Sequence, residues 1–202
     1  SFDLNSLYPH LIMQYNISPE TLVADEKVKN MSVEKLLNKE VDTSILKDAT
    51  MTPNGALFKT TQKGFLPELM QKMYDDRVKF KQLMIEAQKD YEKTKDPKLQ
   101  KTIAKFNNIQ MAKKISLNSA YGAIGNVWFR YYNLLVAEAI TTSGQLAIRY
   151  IEHTLNQYLN KILDTRGEDY IIASDTDSVY ITFDNLVSKV FVSDTDDNKI
   201  VE

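Results

Sequence analysis

Asp175 and Asp177, one residue apart, stand between two strand-forming runs, Tyr170-Ile171-Ile172-Ala173 and Val179-Tyr180-Ile181-Thr182-Phe183. The pattern predicts a β-hairpin over 170–183 with carboxylates at its tip. Aspartate also stabilises ordinary turns by bonding its own backbone, so the tripeptide alone leaves that use open. The apolar flanks would hold these carboxylates beside a core, whereas the same tripeptide at Asp194-Thr195-Asp196 lies in a polar stretch and reads as linker. A further carboxylate, Asp3, belongs to the strand-like segment Phe2-Asp3-Leu4. If that segment pairs beside the hairpin, Asp3 and Asp177 can converge on divalent cations. Mg²⁺ takes oxygen ligands, commonly one or two carboxylates together with substrate phosphates. Two such ions about 3.5–4 Å apart stabilise the attacking and leaving oxygens of an in-line phosphoryl displacement. With no Cys and only two His, the chain leaves oxygen-ligated metal as the available metal chemistry. His10 and His153 are single and far apart, and are assigned to surface or core. A metal-dependent phosphohydrolase built on Asp175 and Asp177 is a rival within catalysis.

A second set of residues supplies positive charge. Arg77 and Lys81 are four apart, so they share one helix face, as do Lys114 and Asn118, with Tyr121 one turn further on. If the two helices are antiparallel neighbours, three cations and an amide could meet one triphosphate, Arg as a planar fork and Lys as a point charge. Ordinary solvent-facing charges would show the same spacing. From Lys59 to Lys114 there are 14 Lys and Arg against 7 Asp and Glu, while the rest of the chain carries 11 against 20. The net charge of −2 therefore hides a basic island. On charge alone it is either a solvated helix face or a docking surface for a polyanion.

These residues need elements to position them. The 202 residues suffice for one ordinary domain, or a compact domain with a protruding helical element. Hydrophobic residues at 43% and charged residues at 26% exclude disordered, collagen-like and membrane classes. No apolar run approaches the roughly 20 residues of a membrane span. The chain opens on Ser1 without a charged leader, and is expected to be a piece of something larger. Asn5 to Pro9 reads as a turn carrying Tyr8, followed by a helix from Pro9 to Tyr15 and a loop from Asn16 to Glu20. Residues 24–52 are mixed and polar, with a short helix capped by Ser32. Pro53-Asn54-Gly55 predicts a turn, Ala56 to Lys59 a strand, and Lys63-Gly64 a second turn. A helix is predicted from Pro67, with Leu69, Met73, Val78 or Phe80, and Leu83 as its apolar positions. Asp96-Pro97 breaks it. The next helix runs to about Tyr121 on Ile103, Phe106, Ile109, Ile115 and Leu117, ended by Gly122 and Gly125. The two make an antiparallel hairpin. A third helix spans Leu134 to Leu163 on Ala137, Ile140, Leu146 and Tyr150, and Ser193 to Asn198 is expected to fray.

Three stretches carry a resemblance. Asp3-Leu4-Asn5-Ser6-Leu7-Tyr8-Pro9, Lys114-Ile115-Ser116-Leu117-Asn118-Ser119-Ala120-Tyr121-Gly122 and Ser174-Asp175-Thr176-Asp177-Ser178 resemble, in order, the signature motifs of B-family DNA polymerases. Gly64-Phe65-Leu66-Pro67 with Arg77 and Lys81 extends the similarity. Asn16-Ile17-Ser18-Pro19-Glu20-Thr21 and Gly125-Asn126-Val127-Trp128-Phe129-Arg130-Tyr131-Tyr132 most resemble the replicative polymerases of T-even-type bacteriophages and their marine relatives. His10 stands where many members carry Ser, and Ala173-Ser174 replace the common Tyr-Gly before the Asp-Thr-Asp.

The resemblance implies an α+β fold: a polymerase palm, its antiparallel sheet and catalytic hairpin backed by helices, with an inserted two-helix fingers element. It implies palm over 1–60 with a polar insertion at about 24–60, fingers over 61–122, palm again over 123–186, and a truncated tail over 187–202. Asp3 and Asp177 would bridge two Mg²⁺ ions, for which Mn²⁺ substitutes, with the Leu4 carbonyl as a further ligand and Asp175 in a secondary catalytic role. Arg77, Lys81, Lys114 and Asn118, with the backbone N–H groups of Ser6 and Leu7, would hold an incoming dNTP. Tyr8 would pack under the sugar and exclude a 2′-hydroxyl, and Tyr121 with Gly122 would face the nascent base pair on the template side. The implied reaction adds dNMP to a primer 3′-hydroxyl and releases pyrophosphate. Primer-template DNA is the implied partner, with exonuclease and thumb domains and a sliding clamp reached through the parent enzyme, in the cytoplasm of an infected bacterium, away from any membrane. A non-catalytic nucleic-acid-binding fragment of a split or truncated polymerase is the alternative from another class.

Overall fold

The structure, a computed structural model, describes residues 1–23, 27–44 and 46–190. It mixes helices with antiparallel sheets. In chain order the elements are β1 (Phe2–Asp3), α1 (Leu7–Tyr15), α2 (Val33–Leu37), β2 (Ala49–Met51), β3 (Leu57–Lys59), α3 (Phe65–Thr94), α4 (Pro97–Ile124), α5 (Leu134–Leu163), β4 (Ile171–Asp175), β5 (Ser178–Ile181) and α6 (Asp184–Val190). By internal packing the chain divides into two units, Ser6–Ser143 and the described part of Ser1–Asn5 with Gly144–Glu202.

The larger unit is organised by the α3/α4 hairpin. Its tight junction follows from three consecutive residues. Lys95 takes the left-handed conformation (φ 54°) and ends α3 with its N–H on the Tyr91 carbonyl, Asp96 caps Lys98 N–H, and Pro97 occupies the first turn of α4. Lys113 Nζ to Asp76 Oδ2 at 2.8 Å, Phe80 to Phe106 at 6.1 Å between ring centroids, and Gln100 Nε2 to Tyr91 Oη at 2.7 Å run in opposite order along the two helices, which makes them antiparallel. The core gathers Ile12 and Ile17, Ala56 and Phe58, Leu66 and Met70, Leu117 and Ile124, and Val136, Ala139 and Ile140.

The apolar phase of the helices differs from the expected one. Leu66 and Met70 are buried in α3, whereas Leu69 and Val78 are exposed. At about 45 Å, a 30-residue helix outruns the core, and its most extensive packing is against α4. Leu117 is buried and Ile115 exposed because residues two apart lie on opposite helix faces, and the same relation buries Ile148 and exposes Tyr150. Helix α1 begins at Leu7, so Tyr8 lies in a helix and not in a turn, and Pro9 is accommodated in its first turn. Gly122 lies inside α4, which ends at Ile124 with Gly125 as its C-terminal cap. Strand β2, unexpected in a polar stretch, pairs with β3 through Thr50↔Phe58. Between them Gly55 at φ +86° makes the turn, and a Cβ there would sit 2.5 Å from the Val28 carbonyl.

In the smaller unit β5 is the central strand, flanked by β1 and β4, both antiparallel to it. Leu159, Leu163 and Tyr170 form its apolar cluster, with Ile181 and Leu186 packed against it. Asn156 and Asn160, one helical turn apart, tie the following loop to α5: Asn156 Oδ1 accepts from Tyr170 N–H at 2.9 Å and Asn160 Oδ1 from Glu168 N–H at 3.0 Å. Strand β4 is largely exposed and only Val179 of β5 is buried, so the hairpin is less enclosed than its apolar sequence implied. Residues 187–190, expected to be tail, continue helix α6. The expected fraying of Ser193 to Asn198, and Asp194-Thr195-Asp196 with it, lies outside the described residues.

Candidate functional site

In the smaller unit the carboxylates are placed by strand register. Ser178 lies opposite Asp3 on one side and Asp175 on the other. Leu4 N–H donates to the Asp177 carbonyl at 2.7 Å, so the Phe2-Asp3-Leu4 segment runs alongside the hairpin turn. The turn is very tight. Asp177 N–H bonds the Asp175 carbonyl at 2.6 Å across Thr176, which is held at φ +49°. A β-branched residue is rare there, and such local strain is a feature of functional turns.

The three carboxylates have different surroundings. Asp175 accepts a hydrogen bond from the Thr176 hydroxyl at 3.0 Å, a side-chain contact inside the turn. Among the described residues neither Asp3 nor Asp177 receives a hydrogen bond or an ion pair on its carboxylate. Anionic oxygens without internal donors, beside the Leu4 backbone, suit a hard cation that keeps water and phosphate in its remaining positions. Among the described residues no group of three or more His, Asp or Glu gathers as a closed metal cage. The donor set therefore fits Mg²⁺ held by few protein ligands and does not fit a self-sufficient structural metal site.

The larger unit holds the cations and the aromatic pair. Ser6, the residue before α1, has left-handed backbone angles (φ 56°, ψ 46°), and its hydroxyl accepts from Arg77 Nη1 at 3.1 Å. Leu7 is the first helical residue, where the helix itself offers no acceptor for the N–H. Lys81, Lys114 and Asn118 are exposed and make no side-chain hydrogen bond or ion pair among the described residues. Their neighbour Lys113 does the opposite. It pairs with Asp76, and that hydrogen bond holds the Asp76 carboxyl below the usual aspartate range. Adjacent helical residues diverge by about 100°, so one lysine of the pair braces the hairpin while the other is left to solvent. The ring of Tyr8 lies against that of Tyr121, and both pack on the core. Beside Tyr121, a Cβ built on Gly122 would meet nothing within 4 Å.

Three positioning features escaped the sequence reading. The Asn16–Thr21 loop holds the start of α3: Asn16 Oδ1 accepts from Gly64 N–H at 2.9 Å, and Glu20 Oε1 accepts from Phe65 N–H at 2.5 Å while Oε2 accepts from Ser18 Oγ at 2.6 Å. Gly64 is required by that approach, since a Cβ would lie 2.6 Å from Ser18 Cβ. The Asp76 and Lys113 brace is the second feature. The third is His10, left to surface or core from sequence, whose ring nitrogen bonds the Ser6 carbonyl at 2.9 Å. The adjacent Lys113-Lys114 pair was the available signal for the second, because both cannot face one ligand.

Comparison with known proteins agrees with these motifs. The sequence model described as DNA polymerase family B matches residues 1–193. The chain is 34% identical to the DNA-directed DNA polymerase of Escherichia phage RB69 and 33% identical to that of Enterobacteria phage T4, in each case over 94% of this chain and 25% of the relative. It also resembles the solved structure of the family B DNA polymerase from the archaeon Pyrobaculum calidifontis, with a TM-score of 0.60 at 25% identity over 93% of this chain and 20% of that one. The chain thus spans about a quarter of the phage relatives' length. Among the described residues no helix is long and apolar enough to cross a membrane. With a family match over nearly its whole length, the chain belongs to DNA polymerase family B.

Proposed function

We propose that this chain is the catalytic-core segment of a viral replicative DNA polymerase, adding dNMP to a primer 3′-hydroxyl with release of pyrophosphate. The observation that carries the reading is the pairing of Phe2-Asp3-Leu4 with the hairpin strand, which sets Asp3 beside the turn that carries Asp177, with no donor on either carboxylate among the described residues. Asp3, Asp177 and the Leu4 carbonyl would hold two Mg²⁺ ions, or Mn²⁺ in their place. Bound there, the ions supply Lewis-acid stabilisation of the attacking and leaving oxygens. Asp175, engaged by Thr176, has the secondary role, which also weighs against a phosphohydrolase centred on Asp175 and Asp177.

The remaining residues bind and orient. Arg77, Lys81, Lys114 and Asn118 take the triphosphate, joined by the N–H groups of Ser6 and Leu7. Exposed lysines with no anionic partner among the described residues support this role. Tyr8 excludes a 2′-hydroxyl. Tyr121 faces the nascent base pair, and the open backbone at Gly122 allows another molecule to approach closely. In this reading 1–60 and 123–186 belong to a palm and 61–122 to fingers, with exonuclease and thumb domains and a sliding clamp reached through the parent chain in the host cytoplasm. Catalysis is then mainly positioning and charge stabilisation, with no covalent step for the protein.

The test is Asp3→Ala and Asp177→Ala in the complete polymerase, assayed for primer extension and for primer-template binding. Extension should disappear in both while duplex binding persists. Retained Mg²⁺-dependent synthesis would overturn the carboxylate assignment, and Mg²⁺-independent DNA binding in a wild type that never extends a primer would favour a non-catalytic binding fragment.

A further inference from the structure

His10 forms a bridge that none of the assigned roles uses. It lies one helical turn after Ser6, and both its backbone N–H (3.2 Å) and its ring Nδ1 (2.9 Å) address the Ser6 carbonyl. A carbonyl only accepts, so Nδ1 carries the proton. The same ring meets Tyr74 of α3 edge-on, with centroids 4.6 Å apart. Tyr74 is three residues before Arg77, whose guanidinium donates to the Ser6 hydroxyl. Ser6 is thus gripped at its carbonyl by His10 and at its hydroxyl by Arg77. Its left-handed backbone (φ 56°) is disfavoured for a residue with a side chain, so the surrounding bonds must hold it there.

We infer that His10 is a positioning residue for nucleotide binding: through Nδ1 it fixes the Ser6–Leu7 peptide plane, and with it the direction of Leu7 N–H, and it helps hold the left-handed Ser6 conformation on which the Ser6 N–H direction and the anchor of Arg77 depend. This rests on the reading of Ser6, Leu7 and Arg77 as triphosphate ligands. His10 itself touches no substrate. Its contribution is to keep Ser6 in a conformation the backbone would otherwise leave.

The inference is tested in the complete polymerase by single-nucleotide incorporation. His10→Phe keeps a ring for Tyr74 but has no donor, His10→Gln places its amide away from the Nδ1 position, and His10→Asn places an N–H close to it. Loss of one such bond should raise KM for dNTP about five-fold in the Phe and Gln variants, with kcat and primer-template affinity little changed, and His10→Asn should restore KM. An unchanged KM in both the Phe and Gln variants overturns the inference, as does an Asn variant no better than Phe. A joint loss of kcat, KM and DNA affinity shows a purely structural role and overturns it too. If His10→Phe does not fold, the comparison of Gln with Asn carries the same decision. Lys114→Ala serves as the control: no change in its KM means that the triphosphate reading has failed, whereas a raised KM there with native His10 variants sinks only the role of His10.

Discussion

The Tyr8 and Tyr121 rings lie 4.9 Å apart and are tilted by 55°, joining the first helix to the second helix of the hairpin. The Tyr8 ring is therefore held by packing as well as by its own helix, and a rigid ring makes a sharper steric gate than a mobile one. Tyr8→Ala should lower discrimination against ribonucleotides on the order of 10- to 100-fold, while Tyr8→Phe retains it. Competing dNTP and NTP incorporation at a single template position measures the ratio, and undiminished discrimination in Tyr8→Ala would reject the gate.

Lys113 and Lys114 make a matched pair of substitutions. Lys114→Ala removes a charge with no partner among the described residues and should lower kcat/KM for dNTP by roughly 10- to 100-fold, the scale of one charged hydrogen bond. Lys113→Ala breaks a partly exposed ion pair, of the kind that contributes little, and should shift thermal stability slightly with a smaller kinetic effect. Equal kinetic effects would remove the distinction between them.

Gly122 separates folding from function. Among the described residues nothing lies within 4 Å of the missing Cβ, so Gly122→Ala should be accommodated and raise helix stability by up to about 1 kcal/mol. If a base pair approaches this backbone, the same methyl group should depress incorporation. Thermal unfolding and steady-state extension on one preparation check both signs, and full activity in a stabilised variant would show that nothing approaches the backbone there.

Asp169 supplies a pH signature. Hydrogen bonds from the Asn156 side chain and then from Ile171 N–H hold its carboxyl below the usual range. A lowered folded value means that its stabilisation is present above the ordinary aspartate value and is lost as pH falls through the folded one. The thermal midpoint of wild type should therefore exceed that of Asp169→Asn at neutral pH, with the gap closing below about pH 4. A gap that does not vary with pH would show that ionisation is not involved.

Much of the fold could be read from local chemistry. Leu134–Leu163 was delimited from its apolar period, and Lys95-Asp96-Pro97 carries the helix stop, cap and restart in three residues. The face each long helix buries was less legible, because a two-helix projection needs only a narrow stripe and Leu69 competes with Met70 on equal terms. The candidate site residues were named by type and spacing, and the placement of Asp3 beside the turn of Asp177 follows the expected strand pairing. The left-handed Ser6, the His10 bond and the grip of Asn16 and Glu20 on the start of α3 were not legible. These are side-chain to backbone bonds, two of them spanning 45 or more residues, and no local pattern announces them.

The two-residue junction between α3 and α4 also bears on the order in which the chain folds. The hairpin zips outward from its junction through pairings of rising separation, Tyr91 with Gln100 and then Phe80 with Phe106. Loop closure there costs little entropy, and local helical contacts form on fast time scales. The β1/β5 pairing, by contrast, brings Phe2 to Val179 across almost the whole chain. The helical hairpin is therefore expected to form early, and Asp3 is expected to reach the hairpin turn of Asp177 late, once that long loop closes.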